Sequence, residues 1–219
     1  MHMNVNKKDR PKLTRTTIVA AAVKIADKDG IDLVSMRKVA NKLGVEAMSL
    51  YHHVSNKDAL IAGMVEYVAP EIDPPIKGND WKEALRNRAH TIKDVLEAHT
   101  WSGQLFLSKI NDGPRMMKFN DATIGYFIEA DFTTAQTDYA WNLIDSYIYG
   151  FNLQGHNFPI QPSEYKKIAT QYLPYISQND LPYIYRMTES IVDGSNDGVQ
   201  DFDFGLDLIL DGIEKKYSN

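Results

Sequence analysis

A chain of 219 residues is long enough for a sizeable core and one or two domains, and its lack of cysteine excludes disulfides, thiolate chemistry and cysteine metal sites. No apolar run approaches the roughly 18–20 residues that span a bilayer, and the polar start MHMNVNKKDRPK is not a secretory signal, so a cytoplasmic protein with no membrane partner is expected. The net charge of −5 hides an asymmetry: residues 1–60 hold eleven Lys/Arg against six Asp/Glu, the remainder thirteen against twenty-three, a basic front suited to meeting a polyanion.

Residues 1–12 are polar and basic without periodicity, and read as a flexible arm. Thr14 to Lys28 predicts a first helix, with Ile18, Ala22 and Ile25 on one stripe and Gly30 ending it. Thr14 and Arg15 stand at its start, where a helix N-terminus already favours phosphate. Ser35 is a cap for a second helix, whose Met36, Val39, Ala40 and Leu43 recur at helical spacing before Gly44 stops it. Val45 and Glu46 open a third, short helix. Leu50 and Val54 face inward there, leaving Ala47, Met48, Ser49, Tyr51, His52 and His53 outside.

Two short helices joined by a tight glycine turn form a helix-turn-helix, whose second helix offers small, hydroxyl, aromatic and imidazole groups to base-pair edges. That outward face carries almost no charge, and Arg37, Lys38, Lys42 and Lys57 surround it where phosphates would lie. A fourth helix, Asn56 to Val68, starts on Asn56 as N-cap. Lys57 in its first turn opposes the helix dipole, which argues for an anionic partner.

Pro70, Pro74, Pro75 and Gly78 break any helix, so residues 70–79 read as a junction between a 13–69 helix-turn-helix domain and a larger 80–219 domain. Asp80 caps a long helix to about His99, with Trp81, Leu85, Ile92, Val95 and Leu96 as its apolar set. A short helix around Gln104–Ile110 follows, then one opened by Pro114 through Phe127 and Ile128, then an aromatic-rich one from Thr134 to about Gln154. After the loop GHNFPIQP come helices Ser163–Ile176 and Tyr183–Val192. The loop DGSNDGVQD leads to a last helix, Phe202–Lys216. The chain predicts an all-α fold of nine or ten helices. Phe202, Leu206, Ile209 and Ile213 form a stripe suited to a four-helix dimer interface with the Thr134–Leu153 helix.

Catalytic and metal chemistry find little support. His52 and His53 diverge by roughly 100° on a helix, and His90 and His99 have no third ligand in register. There is no HExxH, phosphate loop or nucleophile elbow, so no enzyme, metal or cofactor is expected. Trp141, Asp145 and Tyr149 share one helix face. An acid between two rings is costly in a core unless paired, so this face is either core or interface, or a pocket with one polar anchor.

The words RKVANKLGV and SLYHHVSNKDAL resemble the DNA-binding domain of the tetracycline-repressor family of bacterial transcription regulators, and DWKEALRNRA and FDFGLDLILDGIEK resemble the larger domain of that family's namesake. The resemblance implies a homodimer on palindromic double-stranded DNA, released when a small molecule enters the larger domain. It makes Arg37, Ala47, Met48, Ser49, Tyr51, His52 and His53 the groove readers and Lys57 a phosphate contact. Ala47 and Met48 replace a Gln and a Pro there, and neither can make a bidentate base contact, so a different operator is implied.

Arg88 stands where the namesake has a drug-gripping asparagine and Ile92 where it has a phenylalanine. QLFLSKINDG and YVAPEIDPP lack its metal-binding and drug-contacting histidines. Neither tetracycline nor magnesium is therefore carried over, and Arg88, Ile92, Trp101, Phe127, Trp141, Asp145 and Tyr149 are the candidates to meet another ligand. Arg88 aimed into a pocket would suit an anionic or carbonyl-rich molecule; on the solvent side it would pair with an acid. The expected function is a ligand-responsive repressor. The alternative is a helical ligand-binding or enzymatic protein whose front domain no longer reads DNA, which the neutral Ala47–Met48 pair favours and Arg37, Tyr51 and Lys57 oppose.

Overall fold

The computed structural model describes residues 12–72, 80–108 and 113–217, which hold eleven α-helices and no strand. The expected arm, apart from Lys12, and most of the expected proline-rich junction lie outside them.

The front of the chain is held by local caps around an apolar core. Helix α1 (Arg15–Asp29) starts on a capping box in which Thr14 Oγ1 accepts from the Thr17 amide at 3.2 Å and Thr17 Oγ1 accepts from the Thr14 amide at 2.9 Å. Helix α2 (Met36–Leu43) starts on Ser35, whose Oγ accepts from the Lys38 amide at 3.2 Å. It ends at Gly44, whose φ of 67° and ψ of 36° lie in the left-handed region that glycine enters without a Cβ penalty. The turn delivers α3 (Ala47–Tyr51), and α4 (Lys57–Val68) starts on Asn56, whose Oδ1 accepts from the Ala59 amide at 2.8 Å. Ile18, Ala22, Val39, Leu50, Val54, Leu60 and Met64 are buried between these helices. They bring α3 to the surface at a fixed angle.

The rear is a longer-helix assembly of α5 (Trp81–Ala98), α6 (Ser102–Ser108), α7 (Pro114–Glu129), α8 (Thr134–Asn157), α9 (Tyr165–Tyr172), α10 (Pro182–Asp193) and α11 (Phe202–Tyr217). Several limits differ from expectation. Asp80 is at the N-cap position of α5, but its side chain accepts no capping hydrogen bond. The helix expected over Ser163–Ile176 stops at Tyr172, and Leu173–Tyr175 is a 3-10 turn, because Pro174 has no N–H to continue the ladder.

Along α5, Lys82, Arg86 and His90 lie one turn apart and face acids of α11. Lys82 Nζ is 2.8 Å from Glu214, Arg86 Nε donates to Asp207 at 3.1 Å and His90 Nε2 is 2.8 Å from Asp203. Each exposed pair contributes at most about 1 kcal/mol, but together they set the antiparallel register. The rings of Trp81, Phe127 and Phe132 close one end of the core, Phe132 meeting each of the other two edge to face.

The α11 stripe requires a correction. Phe202, Leu206 and Ile213 are buried within the protomer and Ile209 is half-buried. Phe202 packs against Tyr147 and Phe151 of α8, and its carbonyl accepts from the Tyr147 hydroxyl at 2.9 Å. The stripe is thus the inward face of α11 and not a dimer surface. The outward face carries Phe204 and Leu208, 68% and 60% exposed, and Tyr139 and Leu143 of α8 are exposed too.

Candidate functional site

The surface of α3 is built from its alternation with the core. Leu50 is fully buried, which turns Met48 and Tyr51 outward at 71% and 45% exposure, with His52 and His53 exposed beyond them. Ala47 and Ser49, expected outside, are half-buried, and Ala47 packs on the core. Arg37 and Lys42 of α2 and Lys57 at the start of α4 are exposed. Lys38 is less available, because its Nζ sits 2.8 Å from Asp29. Arg15 is exposed at the start of α1, whereas the Thr14 side-chain oxygen is engaged in the capping box.

Within the rear domain, Arg88 answers both alternatives left open for it. It is 2% exposed and its guanidinium clasps Asp145 with two bonds, Nη1 to Oδ1 at 2.6 Å and Nη2 to Oδ2 at 3.3 Å. Nε donates to Thr123 Oγ1 at 3.0 Å, and the guanidinium carbon lies 5.0 Å from the centre of the Phe119 ring. Arg88 is therefore neither an unpaired pocket cation nor a solvent-side residue, and half-buried Asp145 supplies the partner that the buried Arg88 charge requires. Tyr149 is buried beside the pair; burial and then the Asp145 charge push its phenol above the ordinary range.

Other candidates are distributed differently. Ile92 and Phe127 lie in closed core. Trp101 turns away from Asp145 to the front domain, where its Nε1 donates to Asp27 of α1 at 2.6 Å. Trp141 is half-buried, and its Nε1 is enclosed without a hydrogen-bond partner. Thr137 Oγ1, one turn earlier on α8, Tyr126 OH on α7 and Ser102 Oγ on α6 are enclosed and unpartnered too. Native interiors leave few such groups, so several on three adjoining helices ask for an explanation.

A cleft of about 970 Å³ opens elsewhere, between the end of α8 and the α9–α10 pair, walled by Phe151, Phe158, Tyr165, Tyr172 and Ile191. None of the seven candidate ligand residues lines it.

One residue that no sequence window pointed to joins the two domains. Glu66 of α4 reaches the N-terminus of α7, where Gly113 supplies no side-chain cap. Its carboxylate accepts from the backbone N–H groups of Arg115 and Met116, each at 3.3 Å, while Arg115 Nη1 donates back to the Glu66 carbonyl at 3.2 Å. A Cβ at Gly113 would collide with the Glu66 side chain. Helix α4 thus carries Lys57 at the α3 end and grips α7 at the other.

Comparison with known proteins gives these features a family. The model of "Bacterial regulatory proteins, tetR family" matches residues 18–64, and that of "Tetracyclin repressor-like, C-terminal domain" matches 74–217. An HTH-type transcriptional regulator of Saccharopolyspora erythraea is 31% identical over 142 residues, 64% of this chain and 60% of that relative's length. The class D tetracycline repressor of Escherichia coli is 29% identical over 93% of this chain and 90% of its own. Among solved structures, the Streptomyces coelicolor protein ActR in complex with actinorhodin superposes with a TM-score of 0.78 at 22% identity, covering 95% of this chain and 100% of ActR. A variant of Acinetobacter baumannii TetR in complex with minocycline gives 0.67 at 20% identity, covering 95% of this chain and 100% of that one. No helix among the described residues is long and apolar enough to cross a membrane. With both of its domains matched in order, the chain belongs to the tetracycline-repressor family of bacterial transcription regulators.

Proposed function

We propose that the protein is a homodimeric repressor of a palindromic operator, acting in the cytoplasm and released by a small molecule other than tetracycline. The observation that carries this reading is the α3 face: exposed Met48, Tyr51, His52 and His53, without Lys, Arg, Asp or Glu among them, with exposed Arg37 and Lys42 on α2 and Lys57 at the start of α4. Groove-reading surfaces need uncharged contact groups within and phosphate contacts around. The exposed apolar strips of α8 and α11, Tyr139 with Leu143 and Phe204 with Leu208, are what a second copy would cover to form a four-helix interface.

The effector enters between α6, α7 and α8, near Trp141 and the Arg88–Asp145 pair. Because Asp145 already meets the Arg88 charge, the ligand need not be an anion. The unpartnered groups of Trp141, Tyr126, Thr137 and Ser102 favour a molecule rich in carbonyl and hydroxyl oxygens. That two structural neighbours were solved with actinorhodin and with minocycline supports a small-molecule effector. Movement of α7 on binding would be passed through Glu66 to α4. A hundredfold loss of operator affinity then requires the ligand to prefer the released arrangement by about 2.7 kcal/mol.

Selection from random duplex DNA tests the reading. It should return a symmetric site with half-sites about 34–36 Å apart. Tyr51→Ala should weaken binding to that site, whereas Lys57→Ala should weaken binding to every sequence and lower the salt slope by about one. A selection that returns no symmetric site rejects the proposal.

A further inference from the structure

The two domains also meet at a cluster that DNA reading and effector binding leave unused. His99, at the C-terminal end of α5, is 9% exposed and is bonded on both ring nitrogens. Nδ1 lies 2.7 Å from Asp27 Oδ1 on α1, and Nε2 lies 3.1 Å from Glu71 Oε2 in the turn that follows α4. The same Asp27 oxygen accepts from Trp101 Nε1 at 2.6 Å, and the His99 and Trp101 rings lie 5.8 Å apart. Front domain, connecting turn and rear domain are thus tied through one imidazole.

A carboxylate only accepts, so each of the two contacts needs an N–H from the ring. A neutral imidazole has one N–H and an imidazolium has two. The charged ring satisfies Asp27 and Glu71 together; the neutral ring satisfies one and turns a lone pair toward the other. The charged groups that face His99 are Asp27 from α1 and Glu71 from the turn, and both are acids.

We propose that His99 is a proton-controlled clasp between the DNA-reading head and the effector domain, closed when the imidazole is charged and opened on the Glu71 side when it is neutral. Geometry therefore makes the coupling between the domains depend on pH. The direction agrees with the balance of forces on the ring. Burial opposes its charge, but hydrogen bonds and attraction from Asp27 and Glu71 outweigh burial and hold its pKa above the ordinary 6.5. A raised value in the closed state means that the clasp is fully engaged below about 6.5 and is lost as pH rises through the raised value. This inference deepens the regulatory reading above and rests on it for its consequence, though the clasp itself is testable in the free protein.

The experiment follows the His99 ring proton and the Trp101 indole N–H by NMR from pH 5.5 to 9, with backbone hydrogen exchange over residues 69–72. The His99 and Trp101 signals should titrate together, with a midpoint above 6.5. Exchange at 69–72 should accelerate through that midpoint by more than base catalysis alone produces. Glu71→Gln, at an exposed position, should lower the midpoint without unfolding the protein. His99→Gln should leave Trp101 insensitive to pH and exchange fast throughout. A His99 midpoint at or below 6.5, or a Trp101 signal and an exchange rate indifferent to pH, overturns the clasp. On the selected operator, wild-type affinity should vary with pH more steeply than that of Glu71→Gln. Equal slopes for the two, with the NMR behaviour as expected, overturn the regulatory consequence alone, and failure to bind any operator overturns the DNA-reading assignment alone.

Discussion

The head and the effector domain dispose of their polar side chains in opposite ways. In the head, Thr14, Ser35 and Asn56 cap helix starts close to the surface, and the side chains buried among α1 to α4 are apolar. In the rear domain, Arg88 and Thr123 lie inside, Arg88 bonded to half-buried Asp145, and several hydroxyl and indole groups are enclosed without partners. An apolar core with local caps favours one arrangement. A core with unmet polar groups has something to gain from a guest or a rearrangement, since each unmet group costs roughly 1–3 kcal/mol. That contrast is what the proposed function, a DNA reader controlled by a ligand, would need of its two domains.

The largest expected effect separates the two faces of α11. Leu206→Asp buries a charge in the protomer and should cost about 5 kcal/mol or more, enough to unfold most domains. Leu208→Asp, two residues on and 60% exposed, should leave the protomer folded and shift sedimentation from dimer to monomer. A folded monomer from Leu206→Asp would restore the inward stripe as an interface.

Next in size is the ion pair that marks the effector core. Asp145→Ala strands Arg88 in a site that is 2% exposed and should destabilise by about 3–5 kcal/mol in urea unfolding. Joining it to Arg88→Met should recover most of that loss, because the cost lies in the unpaired charge. If the single and double changes cost the same, packing and not charge explains the site.

That contrast also accounts for what was legible. The head could be read from windows of four or five residues: Ser35 with Lys38, Asn56 with Ala59 and Gly44 after Leu43 all act as their local signals indicate. The rear domain and its join to the head depend on pairs far apart in the chain. Arg88 meets Asp145 57 residues on, Glu66 meets Arg115 49 residues on and His99 meets Asp27 72 residues back. No periodicity reports such a pairing. An apolar stripe reports that a face is covered but not by what, which is why Phe202, Leu206 and Ile213 read as a dimer interface and are protomer core. Pro174 is a different case, since its missing N–H was visible in the sequence and sufficient to end α9 early.

A smaller effect tests the head on its own terms. Ser35→Ala removes the acceptor for the Lys38 amide at the start of α2 and should cost about 1 kcal/mol. Operator affinity should fall only as far as folding does, with the ranking of operator sequences unchanged. A changed ranking would mean that α2 positions α3 through this cap, and not through Leu50 and the apolar core.

The smallest expected change in stability is the most informative about control. Glu66→Gln keeps the shape of the side chain and removes its charge from the N-terminus of α7. A negative charge at such a position contributes about 0.3–1 kcal/mol. The substitution should lower stability by no more than that, since the amide oxygen can still accept from Arg115 or Met116. Its effect on communication should be larger in proportion, because the carboxylate receives two backbone N–H groups of α7 while its own residue belongs to the helix that bears Lys57. Hydrogen exchange measures this directly. In the wild type, the first turn of α7 and the end of α4 should open together with one free energy. In Glu66→Gln the α7 turn should exchange faster while the Lys57 end of α4 keeps its wild-type rate. If both ends of α4 loosen equally, the helix transmits through its packing on α1. Glu66 is then an ordinary surface contact, and the route from effector core to DNA would have to run through Trp101 and Asp27.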